Sequence, residues 1–195
     1  EASRFLSQAT LGADLATIEQ VANQGIEAWI DDQMTVPQSQ TLDRLNEVFA
    51  EVIEWYLVNG GNPDEVSTRP YWTIFNYTWW ENHMKNDDLL RQKVALALSE
   101  IFVISIESNL SDAGFGLADY YDILLKHSFG NFEDMLREIS LHPCMGYYLS
   151  HLNNPREIPE ENIHSDENYA REIMQLFTIG LYELNQDGSR KTDGQ

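Results

Sequence analysis

The chain has 195 residues, with 12 Lys and Arg against 32 Asp and Glu, a formal net charge of −20. That charge repels phosphate backbones and anionic lipid heads, which argues against nucleic-acid binding and electrostatic membrane attachment. A hydrophobic content of 43%, with five Trp, nine Tyr and eight Phe, is too high for a disordered acidic tail and enough to build a sizeable core.

Helical spacing dominates from the start. Residues 2–9 put Phe5, Leu6 and Ala9 on one side, and Gly12 ends the unit. Asp14 is placed to cap a second helix through Ile18, Val21 and Ala22, with Gly25 just past its end. A short helix over 26–34 carries Trp29 and Ile30, and Pro37 closes it. Over 42–58 the apolar positions Leu45, Val48, Phe49, Val52, Ile53, Tyr56 and Leu57 recur at intervals of three and four. The Gly-Gly-Asn-Pro run at 60–63 breaks the pattern, and the polar stretch 59–70 is predicted to be a mobile loop.

A strongly aromatic helical group opens at Tyr71 with Trp72, Phe75, Trp79 and Trp80. Asn86, Asp87 and Asp88 cap a predicted long helix reaching Ile106, apolar except for a seam of Gln92, Lys93, Ser99 and Glu100. Residues 87–106 are therefore the expected central buried helix, and their apolar run is too short and too interrupted to span a bilayer. Further helices are predicted at 117–127, 132–141 and 166–181. Then comes the start of a β-hairpin, with its Asp187-Gly188 turn. The expected fold is all-α: an irregular multi-helix bundle around a central helix, forming one domain over 1–195. The polar finish at 191–195, just after the first hairpin arm, reads as the truncated end of the N-terminal part of a longer protein.

Cys144 is the sole cysteine, so neither an intramolecular disulfide nor a Cys-rich zinc site can form. The histidines His83, His127, His142, His151 and His164 make no H-x-x-x-H or H-E-x-x-H pattern. His142 precedes Pro143 at a helix end, where an imidazole is expected to bond a free carbonyl, and His164 beside Asp166 and Glu167 is the one place for a mixed metal site. Asn185, Asp187, Gly188 and Ser189 resemble part of a calcium loop. Counting from Glu183, however, puts Lys191 at position 9 and Gly194 at position 12, so the bidentate acid is missing. No metal or cofactor is predicted. No G-x-S-x-G elbow or glycine-rich phosphate loop occurs.

The most informative segment is the predicted helix at 166–181. Tyr169, Ala170, Ile173, Leu176, Phe177 and Gly180 fall on one half; Glu167, Asn168, Arg171, Glu172, Gln175 and Thr178 fall on the other. Two readings compete. The polar half is a solvated face, with Glu167 and Arg171 at i,i+4 contributing roughly 0.2–0.5 kcal/mol. Alternatively it lines a cleft, with a carboxylate as acid/base and Arg171 as a clamp on an anionic group. Arg91, at the start of the long helix, is expected to pair with Glu100 or Glu172. Tyr71, Trp72, Tyr77, Trp79 and Trp80 are either core or a sugar-stacking platform.

Taken together, RFLSQATLG at 4–12, LRQKVALALSEIFVIS at 90–105, YYDIL at 120–124, SFGNF at 128–132, LHPCMGYYLS at 141–150 and ENYAREIMQLFTIG at 167–180 resemble the bacterial domain-of-unknown-function family 1800. Leu11 stands where an aromatic residue is common in that family. The resemblance implies a large, mostly helical, exported bacterial protein, associated with a sulfatase-like exported companion and so with envelope or polysaccharide biology. On this chain its reactive motif residues are Arg91, Asp122, His142, Glu167, Asn168, Arg171 and Glu172. The expected function is an accessory or scaffold protein that binds such a companion. The alternative is a glycan-directed enzyme. It would use Glu172, Glu167 and His142 as catalytic groups, with Arg171, Asn168, Gln175 and Arg91 holding substrate.

Overall fold

Residues 1–191 are described in a computed structural model, in which ten α-helices and two single 3₁₀ turns follow one another in chain order. Three helices, α1 (Ala2–Ala9), α2 (Leu15–Gln24) and α3 (Ile26–Thr35), make a satellite layer around Leu6, Val21 and Trp29. Phe5 meets the Trp29 ring edge-on at 5.6 Å, and Leu89 and Leu90 tie the layer to the rest. Asp14 caps α2 as its position predicts, accepting the Thr17 N–H at 2.8 Å.

The main body is α4 (Thr41–Val58), α5 (Trp72–Lys85), α6 (Leu89–Ile101), α7 (Gly114–His127), α8 (Phe132–Leu141), α9 (Pro143–Tyr148) and α10 (Asn168–Gln175). Its centre is α7, not the predicted helix at 87–106. α7 packs on α4, α5, α6, α8 and α9, and buries Leu117, Ala118, Tyr120, Tyr121, Leu124 and Leu125. α6 buries only Gln92 and Ala95 and stops at Ile101. The reason lies in the residues that made the segment look so apolar. Ile101, Val103, Ile104 and Ile106 are β-branched and disfavour a continuing helix. The chain bends out of the helix at Phe102, whose ring is fully buried and whose carbonyl accepts the Tyr120 hydroxyl at 2.7 Å.

Gly114 sets where α7 begins. Its N–H donates to the Pro70 carbonyl at 3.0 Å, and a Cβ there would stand 2.7 Å from that oxygen. The end of the 59–70 segment is thereby fastened to the first turn of α7. Its beginning folds over Tyr56, whose hydroxyl accepts the Asn62 N–H at 3.2 Å, and a 3₁₀ turn, Pro63–Glu65, follows. Only the first half of α4 is buried, through Leu45 and Val48; Val52, Trp55 and Val58 are exposed.

α9 has no counterpart among the predicted elements. Pro143 occupies its first turn, and His142 caps it through Nδ1, which accepts the Cys144 N–H at 3.2 Å. α10 is shorter than the predicted 166–181 helix: Leu176–Thr178 is a turn, and the Thr178 hydroxyl bonds the Ile173 carbonyl at 2.7 Å. No strand forms among the described residues. The expected hairpin is reduced to one antiparallel bridge between Leu184 and Arg190, around a turn closed by the Asp187 carboxylate on the Ser189 N–H at 3.0 Å. Lys191 is the last described residue; position 194 of the calcium-loop register and the 192–195 finish lie outside the described residues.

Candidate functional site

α10 carries most of the predicted site, and its mooring is well defined. The Asp166 carboxylate accepts the Asn168 N–H at 2.8 Å and the Ser150 hydroxyl; those bonds hold its pKa below the ordinary range, the Ser150 bond most. Asn154 bonds both the N–H and the carbonyl of Asp166, at 2.8 and 2.6 Å, and so fixes the entry to the helix. Tyr169 stacks on His151 with centroids 3.9 Å apart and donates its hydroxyl to Ser140 on α8. Tyr169 and Ile173 pack against the main core, and Phe177 is buried 5.0 Å from the Phe102 ring. Ala170 and Leu176, expected on the docking side, are exposed.

The other side of α10 faces outward. Glu167 and Arg171 are exposed, and Asn168, Glu172 and Gln175 are half-buried. Among the described residues, none of these five side chains makes a hydrogen bond or an ion pair, Glu167 with Arg171 included. Among the described residues, five clefts are lined by other side chains and not by these.

The remaining motif residues are elsewhere and are engaged. Arg91 pairs with neither Glu100 nor Glu172. Its guanidinium donates to the Leu125 carbonyl at 3.0 Å and the Val36 carbonyl at 3.4 Å, and it lies over the Phe129 ring, 4.7 Å from the centroid. Asp122, on α7, accepts the Thr41 N–H at 2.7 Å and the Leu42 N–H at 2.9 Å, the first free donors of α4. Burial raises its pKa, and those two backbone bonds oppose the rise. His142 is 6% exposed with both ring nitrogens committed, Nδ1 to Cys144 N–H and Nε2 to the Asp119 carboxylate at 3.2 Å. A nitrogen that accepts an N–H carries no proton, so this is a neutral imidazole with its proton on Nε2. Burial keeps its pKa low, against the pull of Asp119.

These contacts define a polar seam that sequence reading missed. Asp88, expected to cap α6, is 1% exposed and instead accepts the Ser39 N–H and hydroxyl at 2.9 and 2.7 Å. Gln33 takes its place at α6, accepting the Leu90 N–H at 3.0 Å and donating to the Asp87 carbonyl at 2.9 Å. Gln38 donates to the Asp122 carbonyl at 3.0 Å. Asp88, Arg91 and Asp122 thus clasp the backbone of the α3–α4 connection. No spacing in the sequence marks these partners, because they lie far apart along the chain.

The aromatic group divides. Trp79 is half-buried, 3.8 Å from the His83 ring and 6.2 Å from Tyr121, and belongs to the core edge. Trp80 meets Trp79 edge-on at 4.9 Å and is 55% exposed. Beside it Met84 is 73% exposed, and the two share a cleft of about 310 Å³ with Leu11 and the Asp14 cap. Burial lowers the pKa of His83 at its wall, so the residue holding Trp79 from below favours the neutral form.

His164 lies 3.4 Å from Glu157, and no group of three His, Cys, Asp or Glu side chains among the described residues is arranged to hold a metal ion. No helix among the described residues is long and apolar enough to cross a membrane. The family model described as "Protein of unknown function (DUF1800)" matches residues 4–191, nearly the whole chain. No curated protein and no solved structure matches it.

Proposed function

The chain belongs to the DUF1800 family, and on that premise we propose that it is a helical interaction module: an accessory or scaffold protein whose Trp80 face binds a partner protein. The observation that carries this reading is the pairing of exposure with rigidity at Trp80. A large aromatic side chain stands more than half in solvent, yet its ring is backed by Trp79, which is itself set against His83 and Tyr121. An anchor held in place before binding loses little conformational freedom on binding, and tryptophan is the residue most enriched at interface hot spots. Leu11 and Met84 extend the apolar face on either side.

Arg91, Asp122 and His142 support the same reading, since each is spent on internal backbone or capping contacts. Acid/base work by Glu172 or Glu167, with Arg171 and Asn168 placing a glycan, needs a water-excluding cleft, and the exposure of Glu167 and Arg171 favours the other reading. An extracytoplasmic setting and a sulfatase-like companion rest on the family resemblance alone.

The test is direct association of the purified chain with the exported sulfatase-like companion, followed by sedimentation velocity. Trp80→Ala is expected to weaken the complex tenfold or more while leaving the melting temperature of the chain within about 2 °C, as for an exposed site. No complex at tens of micromolar, or a complex indifferent to both Trp80→Ala and Met84→Ala, rejects the proposal.

A further inference from the structure

We infer that the slot between α5, α6 and α7 is a binding site for a small uncharged apolar molecule about the size of one six-membered ring. The slot has a volume of about 170 Å³. Its floor is the deepest part of the core, with Phe102, Leu117, Tyr120, Tyr121 and Leu124 all buried. Its mouth is formed by half-buried residues, Phe75, Trp79 and Ser99 among them, so that a path leads from the surface to the floor.

The chemistry of the walls selects the ligand. Among the described residues, no Asp, Glu, Lys, Arg or His lines the slot. The hydroxyls that do are already engaged: Ser99 donates to the Leu96 carbonyl at 2.7 Å and Tyr120 to the Phe102 carbonyl at 2.7 Å, while Tyr121 lies 3.5 Å from His83 Nε2. Among the described residues, none of the buried side-chain polar atoms that lack a partner belongs to a lining residue. A water here would find few of the two to four partners it needs, and a charged guest would find no counter-ion.

An apolar guest, by contrast, gains dispersion contacts with the floor and walls, which a void forfeits. Size sets the upper limit. Apolar cavities of about 150 Å³ in other proteins stay dry and admit benzene or xenon. The walls suit a flat ring. Phe75 and Trp79 both stand nearly perpendicular to Tyr121, at 69° and 73°, so faces and edges are presented together. The site is separate from the Trp80 cleft, which shares none of its lining residues.

The full chain should be titrated with benzene and cyclohexane, with benzoate as the charged control, reading tryptophan fluorescence and melting temperature. Saturable binding of either ring below its aqueous solubility, at least tenfold tighter than benzoate, is the expected result. Tighter benzene assigns an aromatic guest, and equal affinity assigns any apolar ring. Ser99→Leu puts two extra heavy atoms in the mouth and should weaken binding at least tenfold with the helical circular dichroism unchanged. Leu117→Ala enlarges the floor and should shift the preference from benzene to naphthalene by tenfold or more, an arm independent of whether the Ser99 variant folds. No saturable binding of either ring, benzoate binding as tight as benzene, or affinities unmoved by both substitutions would overturn the assignment.

Discussion

Replacing Asp122 by Ala tests whether a reactive-looking motif residue is structural. Its carboxylate accepts two backbone N–H groups at the start of α4, at 2.7 and 2.9 Å, from a position 80 residues further along the chain. Removing it strands two donors that have no partner within the helix. Hydrogen bonds to a charged acceptor contribute about 1.5–3 kcal/mol each, and the negative charge at the helix N-terminus adds about 0.3–1 kcal/mol. Against this stands the desolvation that raises the Asp122 pKa, relieved once the carboxylate is gone. The net expectation is a loss of about 3 kcal/mol, or roughly 6–12 °C in melting temperature for a domain of this size. Asp122→Asn retains one acceptor oxygen but turns its amide donors toward the second N–H, and should lose about half as much. Urea unfolding followed by circular dichroism and tryptophan fluorescence measures both. An Ala variant within about 0.5 kcal/mol of the parent would refute the capping role.

Further outcomes concern the other motif residues. Arg91→Lys should destabilise by about 1–2 kcal/mol, because a single ammonium cannot reach both the Leu125 and Val36 carbonyls while lying flat over Phe129. The exposed Arg171→Gln should stay within about 0.5 kcal/mol, and a reversed order in denaturant midpoints would count against the placement of both. Burial depresses the folded-state pKa of His83 and of His142 below the ordinary value of 6.5. The unfolded chain therefore binds more protons than the folded one once pH drops through 6.5, so stability falls from there down to the folded-state values and their contribution levels off below them. His142→Asn keeps an N-cap acceptor while removing one titrating ring, and should flatten the slope between pH 7 and 5. An unchanged slope would mean that His142 is not buried neutral.

Much of the secondary structure was legible because amphipathic spacing is local. The predicted helices at 2–9 and 132–141 have the observed bounds, and the Asp14 cap is where its side-chain chemistry puts it. Errors arose where apolar character was mistaken for helical continuity. Val103, Ile104 and Ile106 lie past the end of α6, Ile104 and Ile106 packing beside Leu117 near the start of α7, and Leu176, Ile179 and Leu181 lie beyond the end of α10, all three exposed. The short α9 was hidden because its signals, a His before a Pro, also describe a helix end.

The candidate site was less legible than the fold, for a physical reason. Spacing tells which side chains share a face, but not what that face meets. Glu167, Asn168, Arg171, Glu172 and Gln175 do share one, on which Glu167 and Arg171 are exposed and the other three half-buried. Arg91, Asp88 and Asp122 meet backbone groups 34 to 81 residues away, and no local pattern encodes such partners.

Composition and periodicity alone determined that this chain is acidic, helical and built around an aromatic core. Those properties depend on side-chain identity and on a repeat of a few residues, both readable along the chain. Tertiary structure alone decided that α7 is the centre, that Asp88, Arg91 and Asp122 clasp the α3–α4 connection, and that Trp80 is left in solvent on a fixed aromatic support. Each of these depends on which distant surfaces meet, and a buried polar group is satisfied by whatever backbone the packing brings within 3 Å.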